Sequence, residues 1–337
     1  MSYVITNSFA QEAQLSSILL SNHSFSENSD KVGRISVNAP DISIKKISLK
    51  GEDAKSFEVK NGNLVIKPKS NKSDVKWYDV TVEAQTSAGK LTESFRIVNN
   101  QFLRNKVIAH RGAFKNTGAA ENSISALKHA ITLGCEGSEF DVHMSSDSIP
   151  FVYHDGDVNG IVIEKTPAVE LAKIKLPNGE NLPTLEEYLK EGVKQNKTKL
   201  ILEIKPSKVS KERGIALTHQ VVGLVKKYKA QAWVDYISFG YDICKELVRL
   251  DPYARVFYLN GEKSPTELAA DKLSGLDYHY SIVQKKREWI KEAHEKNLKV
   301  NVWTVNASAD MDWFLEQKVD FITTNEPELL LQKVNKK

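Results

Sequence analysis

A chain of 337 residues with 41% hydrophobic and 27% charged residues has the composition of a folded globular protein and the length for two domains. Its 47 basic and 43 acidic residues leave a formal net charge of +4, a balance that argues against nucleic acid as a partner while suiting a small anionic substrate. No run of about 18 apolar residues is present, so no membrane span is expected, and Met1-Ser2-Tyr3-Val4-Ile5-Thr6 lacks the basic-then-apolar pattern of a secretion signal.

The first 100 residues read as β structure. Ile42-Ser43-Ile44, Phe57-Glu58-Val59, Leu64-Val65-Ile66 and Tyr78-Asp79-Val80-Thr81-Val82 alternate with period two, the pattern of half-buried strands. Asn61-Gly62-Asn63 is a hairpin turn signal, since Asn and Gly tolerate positive φ, and residues 86–90 predict a second turn. Residues from about 30 to 98 are therefore expected to form a small β-sandwich. The stretch from Phe9 to Leu20 fits either a short helix or an added strand.

From residue 106 the pattern becomes strand then helix, repeatedly. Buried strands are expected at 106–109, 137–142, 199–204, 234–239, 254–259, 275–280, 299–304 and 319–323. The first helix should start at Asn122 as its cap and stop at Gly134. Further helices are expected at 184–196, 211–228, 241–250, 285–296 and 308–316. Eight strands with intervening helices predict an α/β fold, a (β/α)8 TIM barrel over 101–337 behind a β-sandwich over 1–100. A doubly wound sheet is disfavoured because no G-x-G-x-x-G follows the first strand. Residues 143–183 read as a hairpin and excursion inserted after the second strand. Cys135 and Cys244 are expected to be buried free thiols, and the lysine runs near 45–50, 66–72 and 285–286 to be solvated faces.

A barrel places its active site at the C-terminal ends of its strands. There the sequence offers His110-Arg111-Gly112, Glu139-Phe140-Asp141, His154-Asp155, Glu203-Ile204-Lys205, Trp303 and Asn325. The alternation in Glu139-x-Asp141 and Glu203-x-Lys205 turns each pair to one side of its strand. Three converging carboxylates repel unless a cation joins them, and oxygen donors suit Ca2+ or Mg2+; zinc is disfavoured, since no Cys takes part. Arg111 and Lys205 are candidates to clamp a phosphate. His110 and His154 have the intrinsic pKa for proton exchange near neutrality. Glu121 is expected to organise Arg111, with Asn122 beside it. Trp303 either fills the barrel or walls the substrate. His143 either fills the rim or meets substrate, and His129, His219 and His294 fall on helices and are expected to be solvated.

Taken in order, His110-Arg111-Gly112, Glu121-Asn122, Glu139-x-Asp141-Val142, Asp147, His154-Asp155, Glu203-x-Lys205 and Trp303-Thr304-Val305-Asn306 resemble the glycerophosphodiester phosphodiesterase family over about residues 105–331. The resemblance implies a TIM barrel in which Glu139, Asp141 and Glu203 bind a divalent cation and His110 and His154 act as acid and base. The implied reaction turns a glycerophosphodiester into glycerol 3-phosphate and an alcohol. Two departures stand out. Ala119-Ala120 precede the Glu-Asn pair where the family commonly has Pro, and Thr324-Asn325-Glu326-Pro327 stands where Thr-Asp-x-Pro is common; the second places substrate contacts in doubt more than catalysis. The N-terminal sandwich resembles cadherin- or immunoglobulin-like modules, which implies a spacer or surface-docking role and a periplasmic, secreted or cell-surface location in a bacterium. Alternatives are a related phosphodiester, such as a lysophospholipid or phosphoinositide, and a non-catalytic surface-docked protein that binds a phosphorylated ligand.

Overall fold

The computed structural model describes residues 16–26 and 28–335. Most of the stretch left open between helix and strand lies outside these residues; its end, Ile18–Leu20, is a strand. Two four-stranded sheets face each other around a core of Ile18, Leu20, Phe25, Val32, Leu64, Ile66, Val82, Phe95 and Ile97. One sheet joins Ile18–Leu20, Lys31–Val37, Asn63–Ile66 and Phe57–Lys60; the other joins Ser24–Phe25, Gly89–Asn99, Trp77–Thr86 and Ile44–Lys50. The sandwich thus begins earlier than the expected residue 30. Asn61 and Gly62 both have positive φ, 49° and 75°, which lets a two-residue turn join Phe57–Lys60 to Asn63–Ile66.

The barrel closes from eight parallel strands: β1 (Val107–Ala109), β2 (Gly137–Met144), β3 (Lys199–Ile204), β4 (Val234–Ser238), β5 (Val256–Tyr258), β6 (Gly275–His279), β7 (Lys299–Trp303) and β8 (Phe321–Thr324). Each pairs with the next, and β8 returns to β1 through Thr324 opposite Ala109. Alternation sorts the side chains of each strand. Ile108, Ile201, Ile237 and Phe257 fill the lumen, while Phe140, Val142, Leu200, Leu202 and Ile204 meet the surrounding helices in the main core.

Two helix expectations change. The helix Ile124–Leu133 is capped by Ser123, whose side chain accepts from the Ala126 N–H, not by Asn122; Asn122 sits one residue too early, with φ 60°, and its side chain is used elsewhere. The helix expected at 285–296 is shorter, Glu288–Glu295, and a separate helix, Tyr280–Lys285, precedes it. Helices at Pro265–Ala270 and Pro327–Val334 add to those read from the sequence. The excursion after β2 folds back on it, Pro150–Val152 pairing antiparallel with Val142–Met144, and has its own core of Phe151, Val158, Ile163, Leu171 and Leu182. Cys135 and Cys244 are buried free thiols. Among the described residues no helix is long and apolar enough to cross a membrane.

The sandwich rests on the end of the barrel where the strands begin. Trp233, just before β4, meets Trp77 and Phe102 edge-on, each at 6.3 Å between ring centroids. Asn196 Nδ2 donates to the Asn99 carbonyl at 2.9 Å, and Asp79 pairs both with Arg96 of its own sheet, at 2.8 Å, and with Lys229 of the barrel, at 3.1 Å. The opposite end of the barrel, where the strands finish, is left open for chemistry.

Candidate active site

The inward positions at the C-terminal ends of β2 and β3 carry Glu139, Asp141, Glu203 and, one step beyond β3, Lys205. The register sets Asp141 beside Glu203. A carboxylate oxygen from each of Glu139, Asp141 and Glu203 lies within 4.8 Å of the others, and all three residues are buried. Burial raises the Glu139 carboxyl well above its ordinary range, with the charges of Asp141 and Glu203 adding to it. Burial and then Asp141 push Glu203 up to about 8. For Asp141 burial works the same way, but the Lys205 ammonium and a hydrogen bond from Asn122 outweigh it and bring the carboxyl down to about 2. Lys205 Nζ stands 2.7 Å from Asp141 Oδ1 and 2.8 Å from Glu203 Oε1. Its single charge meets two carboxylates directly and offsets the Glu139 charge only in part. The donor set is all oxygen, buried and over-supplied with negative charge, and it fits a hard divalent cation.

The loop after β1 wraps this cluster. Arg111, at φ 54°, donates its backbone N–H to Glu139 Oε2 at 2.8 Å. Its guanidinium donates to both oxygens of Glu121, at 3.1 and 3.0 Å, and lies 3.8 Å from Asp141. The expected Glu121–Arg111 pairing is therefore present. Gly112 makes the turn possible: its φ is 77°, and a Cβ there would sit 2.6 Å from the Ala126 Cβ, so only glycine lets the loop press on the helix. Asn122 is fully buried; its Nδ2 donates to Asp141 Oδ2 at 2.8 Å, and its Oδ1 accepts the Asp141 N–H at 3.1 Å. This two-point clasp fixes the rotamer of Asp141.

His110 and His154 approach from different elements. His110 ends β1, with its backbone N–H bonded to the Thr324 carbonyl of β8 and its Nε2 3.9 Å from Glu139. Its Nδ1 lies 2.7 Å from Asn325 Oδ1. An amide oxygen only accepts, so in this pair Nδ1 carries the proton and Nε2 keeps its lone pair. Burial, then the neighbouring Arg111 charge, brings the His110 imidazole down to about 4. His154 comes from the excursion and donates through Nδ1 to Asp155 Oδ1 at 2.8 Å. Its loop is tied to the cluster, since Tyr153 N–H donates to the Asp141 carbonyl at 3.0 Å and His143 Nε2 donates to the His154 carbonyl at 3.0 Å.

Four residues that the sequence places at the rim or in its motifs have contacts that it does not show. Asn325 contacts His110 itself, so the departure from Thr-Asp-x-Pro bears on an imidazole in the cluster as well as on the substrate contacts the sequence points to. Asn306 Oδ1 accepts the Asn325 N–H at 2.9 Å and so holds Asn325 in place. His143 supports the His154 backbone, and Asp155 orients the His154 ring. These are single polar contacts, from neighbours in the chain to residues 215 positions apart, with no periodicity to announce them. Trp303 is tied down by its indole N–H, which donates to the Asp277 carbonyl at 2.8 Å, and its ring meets Phe239 and His279 edge-on at 5.6 and 5.3 Å; it closes the lumen below the rim. The remaining helix histidines divide: His219 and His294 are exposed and pair with Glu246 and Asp320, while His129 is half-buried with an unpartnered Nδ1, contrary to the solvated position expected.

Comparison with known proteins agrees with the barrel fold. Residues 110–329 match the profile of the Glycerophosphoryl diester phosphodiesterase family. A glycerophosphodiester phosphodiesterase of Caldanaerobacter subterraneus is 28% identical over 251 residues, which is 69% of this chain and 99% of that protein. A glycerophosphodiester phosphodiesterase crystal structure from Parabacteroides distasonis is 44% identical, covers 68% of this chain and 97% of its own, and superposes with a TM-score of 0.67. A phosphodiesterase of Oleispira antarctica, solved in complex with the product sn-glycerol-3-phosphate, is 26% identical, covers 69% of this chain and 97% of its own, and has a TM-score of 0.58. With this match running from His110 through the strands that carry the carboxylates, the chain belongs to the glycerophosphoryl diester phosphodiesterase family.

Proposed function

We propose that this phosphodiesterase hydrolyses a glycerophosphodiester to glycerol 3-phosphate and an alcohol, with His110 and His154 as the acid–base pair. One observation carries the reading: three buried carboxylates, two imidazoles and the cationic side chains of Arg111 and Lys205 meet at one rim of the barrel. The product bound in the Oleispira antarctica relative supports the substrate class. Glu139, Asp141 and Glu203 would hold the cation, Ca2+ or Mg2+. When bound, it supplies Lewis-acid stabilisation of charge on the phosphoryl oxygens.

The partners of the two imidazoles divide their roles. His110 leans on a neutral amide and keeps its Nε2 lone pair, which suits the base that takes the proton from the glycerol hydroxyl next to the phosphate. His154 donates through Nδ1 to the Asp155 carboxylate, which fixes the ring and leaves Nε2 free to face substrate, a placement that suits the acid that protonates the departing alcohol oxygen. The hydroxyl oxygen bonds to phosphorus as the ester bond to the headgroup breaks, giving a cyclic phosphodiester. Water then opens the ring with the roles reversed: His154 takes a proton from water and His110 returns one to the glycerol oxygen. Arg111 and Lys205 hold the phosphate oxygens through the sequence.

The test is to incubate the full chain with glycerophosphocholine, glycerophosphoethanolamine or glycerophosphoinositol and Ca2+ or Mg2+, and to assay glycerol 3-phosphate against a chelator control. Metal-dependent release is the expected result. No product from any headgroup, with the barrel folded and metal bound, would overturn the reading in favour of a non-catalytic binding protein.

A further inference from the structure

A second cavity lies at the opposite end of the barrel, in the seam with the sandwich. Its volume is about 350 Å3, within the range of roughly 300–1,000 Å3 usual for small-molecule sites. Ile108, Ile201 and Ile237 of the lower lumen form an apolar floor, and sandwich residues 21–24 form part of the wall. Both domains are therefore needed to enclose it.

The polar groups around it are unevenly satisfied. Arg255 is paired with Asp235 at 3.0 Å. Lys199 Nζ donates to the Ala232 carbonyl at 2.6 Å and stands 3.8 Å from Asp235. These cations are thus committed to protein partners. Two acceptors are not: Asp277 Oδ1 and Gln231 Oε1 are buried without a hydrogen-bond partner, while Asp235 Oδ1, which also lacks a hydrogen bond, faces the Lys199 ammonium. Asp235 and Asp277 are only 4% and 2% exposed, and a buried acceptor left without a donor is costly. Burial also pushes the Asp277 carboxyl up to about 7. The cavity therefore asks for donors, not for charge: an anion would face Asp235 and Asp277, and a cation would face Lys199, Arg255 and Arg104.

We infer that this cavity is a second ligand site, taking a small neutral polyhydroxylated molecule, a sugar or polyol, between the sandwich and the barrel. Hydroxyl groups donate to the two unpartnered acceptors, Asp277 Oδ1 and Gln231 Oε1, and the ligand's C–H groups lie on the isoleucine floor. The site is separate from the phosphodiester chemistry, since it lines the opposite end of the same strands. Its occupation would tie the two domains together.

The experiment titrates the full chain with glycerol, D-glucose and myo-inositol by ligand-observed NMR and calorimetry, with choline and inorganic phosphate as charged probes. At least one polyol is expected to bind saturably to the wild type, and equally to His110→Gln. Asp277→Asn should weaken that binding roughly tenfold or more, the worth of a hydrogen bond to a buried charged group. Ala254→Phe, which adds a ring to the cavity wall, should abolish it, and decides the matter if Asp277→Asn fails to fold. The inference is overturned if no polyol binds and the cavity holds only water, if choline or phosphate binds in place of the polyols, if binding disappears in His110→Gln, or if both cavity variants bind as the wild type does.

Discussion

The Nδ1 proton of His110 is held by the side-chain oxygen of Asn325, 2.7 Å away at the end of β8. The contact joins the first and last strands of the barrel across its closure, and it orients the imidazole with a neutral group. Asn325→Ala is expected to lower kcat by about ten- to a hundredfold, the usual worth of a partner that orients a functional imidazole, with KM little changed. Steady-state kinetics on glycerophosphocholine check this; an unchanged kcat would remove Asn325 from the machinery.

His154→Gln and His110→Gln should each reduce turnover by about 10²–10⁴-fold while leaving the thermal midpoint close to that of the wild type, because Gln puts a polar side chain of similar size in place of each imidazole. Near-normal turnover in either variant would exclude that residue as acid or base.

Glu139, Asp141 and Glu203 crowd three carboxylates into one buried site, so a divalent ion that binds there stabilises the folded chain by mass action. At an ion concentration 100 times Kd the gain is about 2.7 kcal/mol. A rise in Tm with added Ca2+ or Mg2+ is expected in the wild type, to be reversed by chelator and to be absent in Glu203→Gln. An equal rise in the variant would place the ion elsewhere.

Gly112→Ala meets two obstacles, a φ of 77° and a backbone and Cβ of Ala126 less than 3 Å from the new methyl group. A destabilisation of about 1–3 kcal/mol is expected from the strained backbone, and activity should fall with it, because the same turn presents the Arg111 N–H to Glu139. Denaturant unfolding and kinetics on one preparation check both.

His23, in the seam between the sandwich and the barrel, is brought from 6.5 down to about 3 by burial and then by the Lys199 ammonium. Its folded pKa lies below its unfolded value, so the unfolded chain takes up the proton first. Stability from this group is complete above about pH 6.5 and is lost as pH falls toward 3, with a slope of at most about 1.4 kcal/mol per pH unit for one proton. His23→Gln should flatten the fall of Tm with acidification between pH 6 and 4, and an unchanged slope would show that other groups carry it.

The barrel was legible because buried strands and amphipathic helices impose different periods on the sequence, and eight such units close in only a few ways. Lys199–Ile204, Tyr241–Leu250 and Ser308–Glu316 stand as read. Period-two alternation likewise placed Glu139 with Asp141, and Glu203 with Lys205, on the lumen side of their strands. The helix start was misread by one residue because Asn122 and Ser123 are both capable caps, and only the position of Asp141 assigns Asn122 to the carboxylate and Ser123 to the helix.

Residue type and spacing thus determined the barrel, the ionisable residues at its rim and the oxygen-rich character of their cluster, since these follow from local periodicity and side-chain chemistry. Tertiary structure alone decided the pairing of His110 with Asn325, of Asp141 with Asn122 and of His154 with His143, and the enclosure of a cavity between sandwich and barrel. Those depend on where closure of the barrel and docking of the sandwich bring residues as many as 215 positions apart, and single polar contacts at that range leave no repeating pattern along the chain.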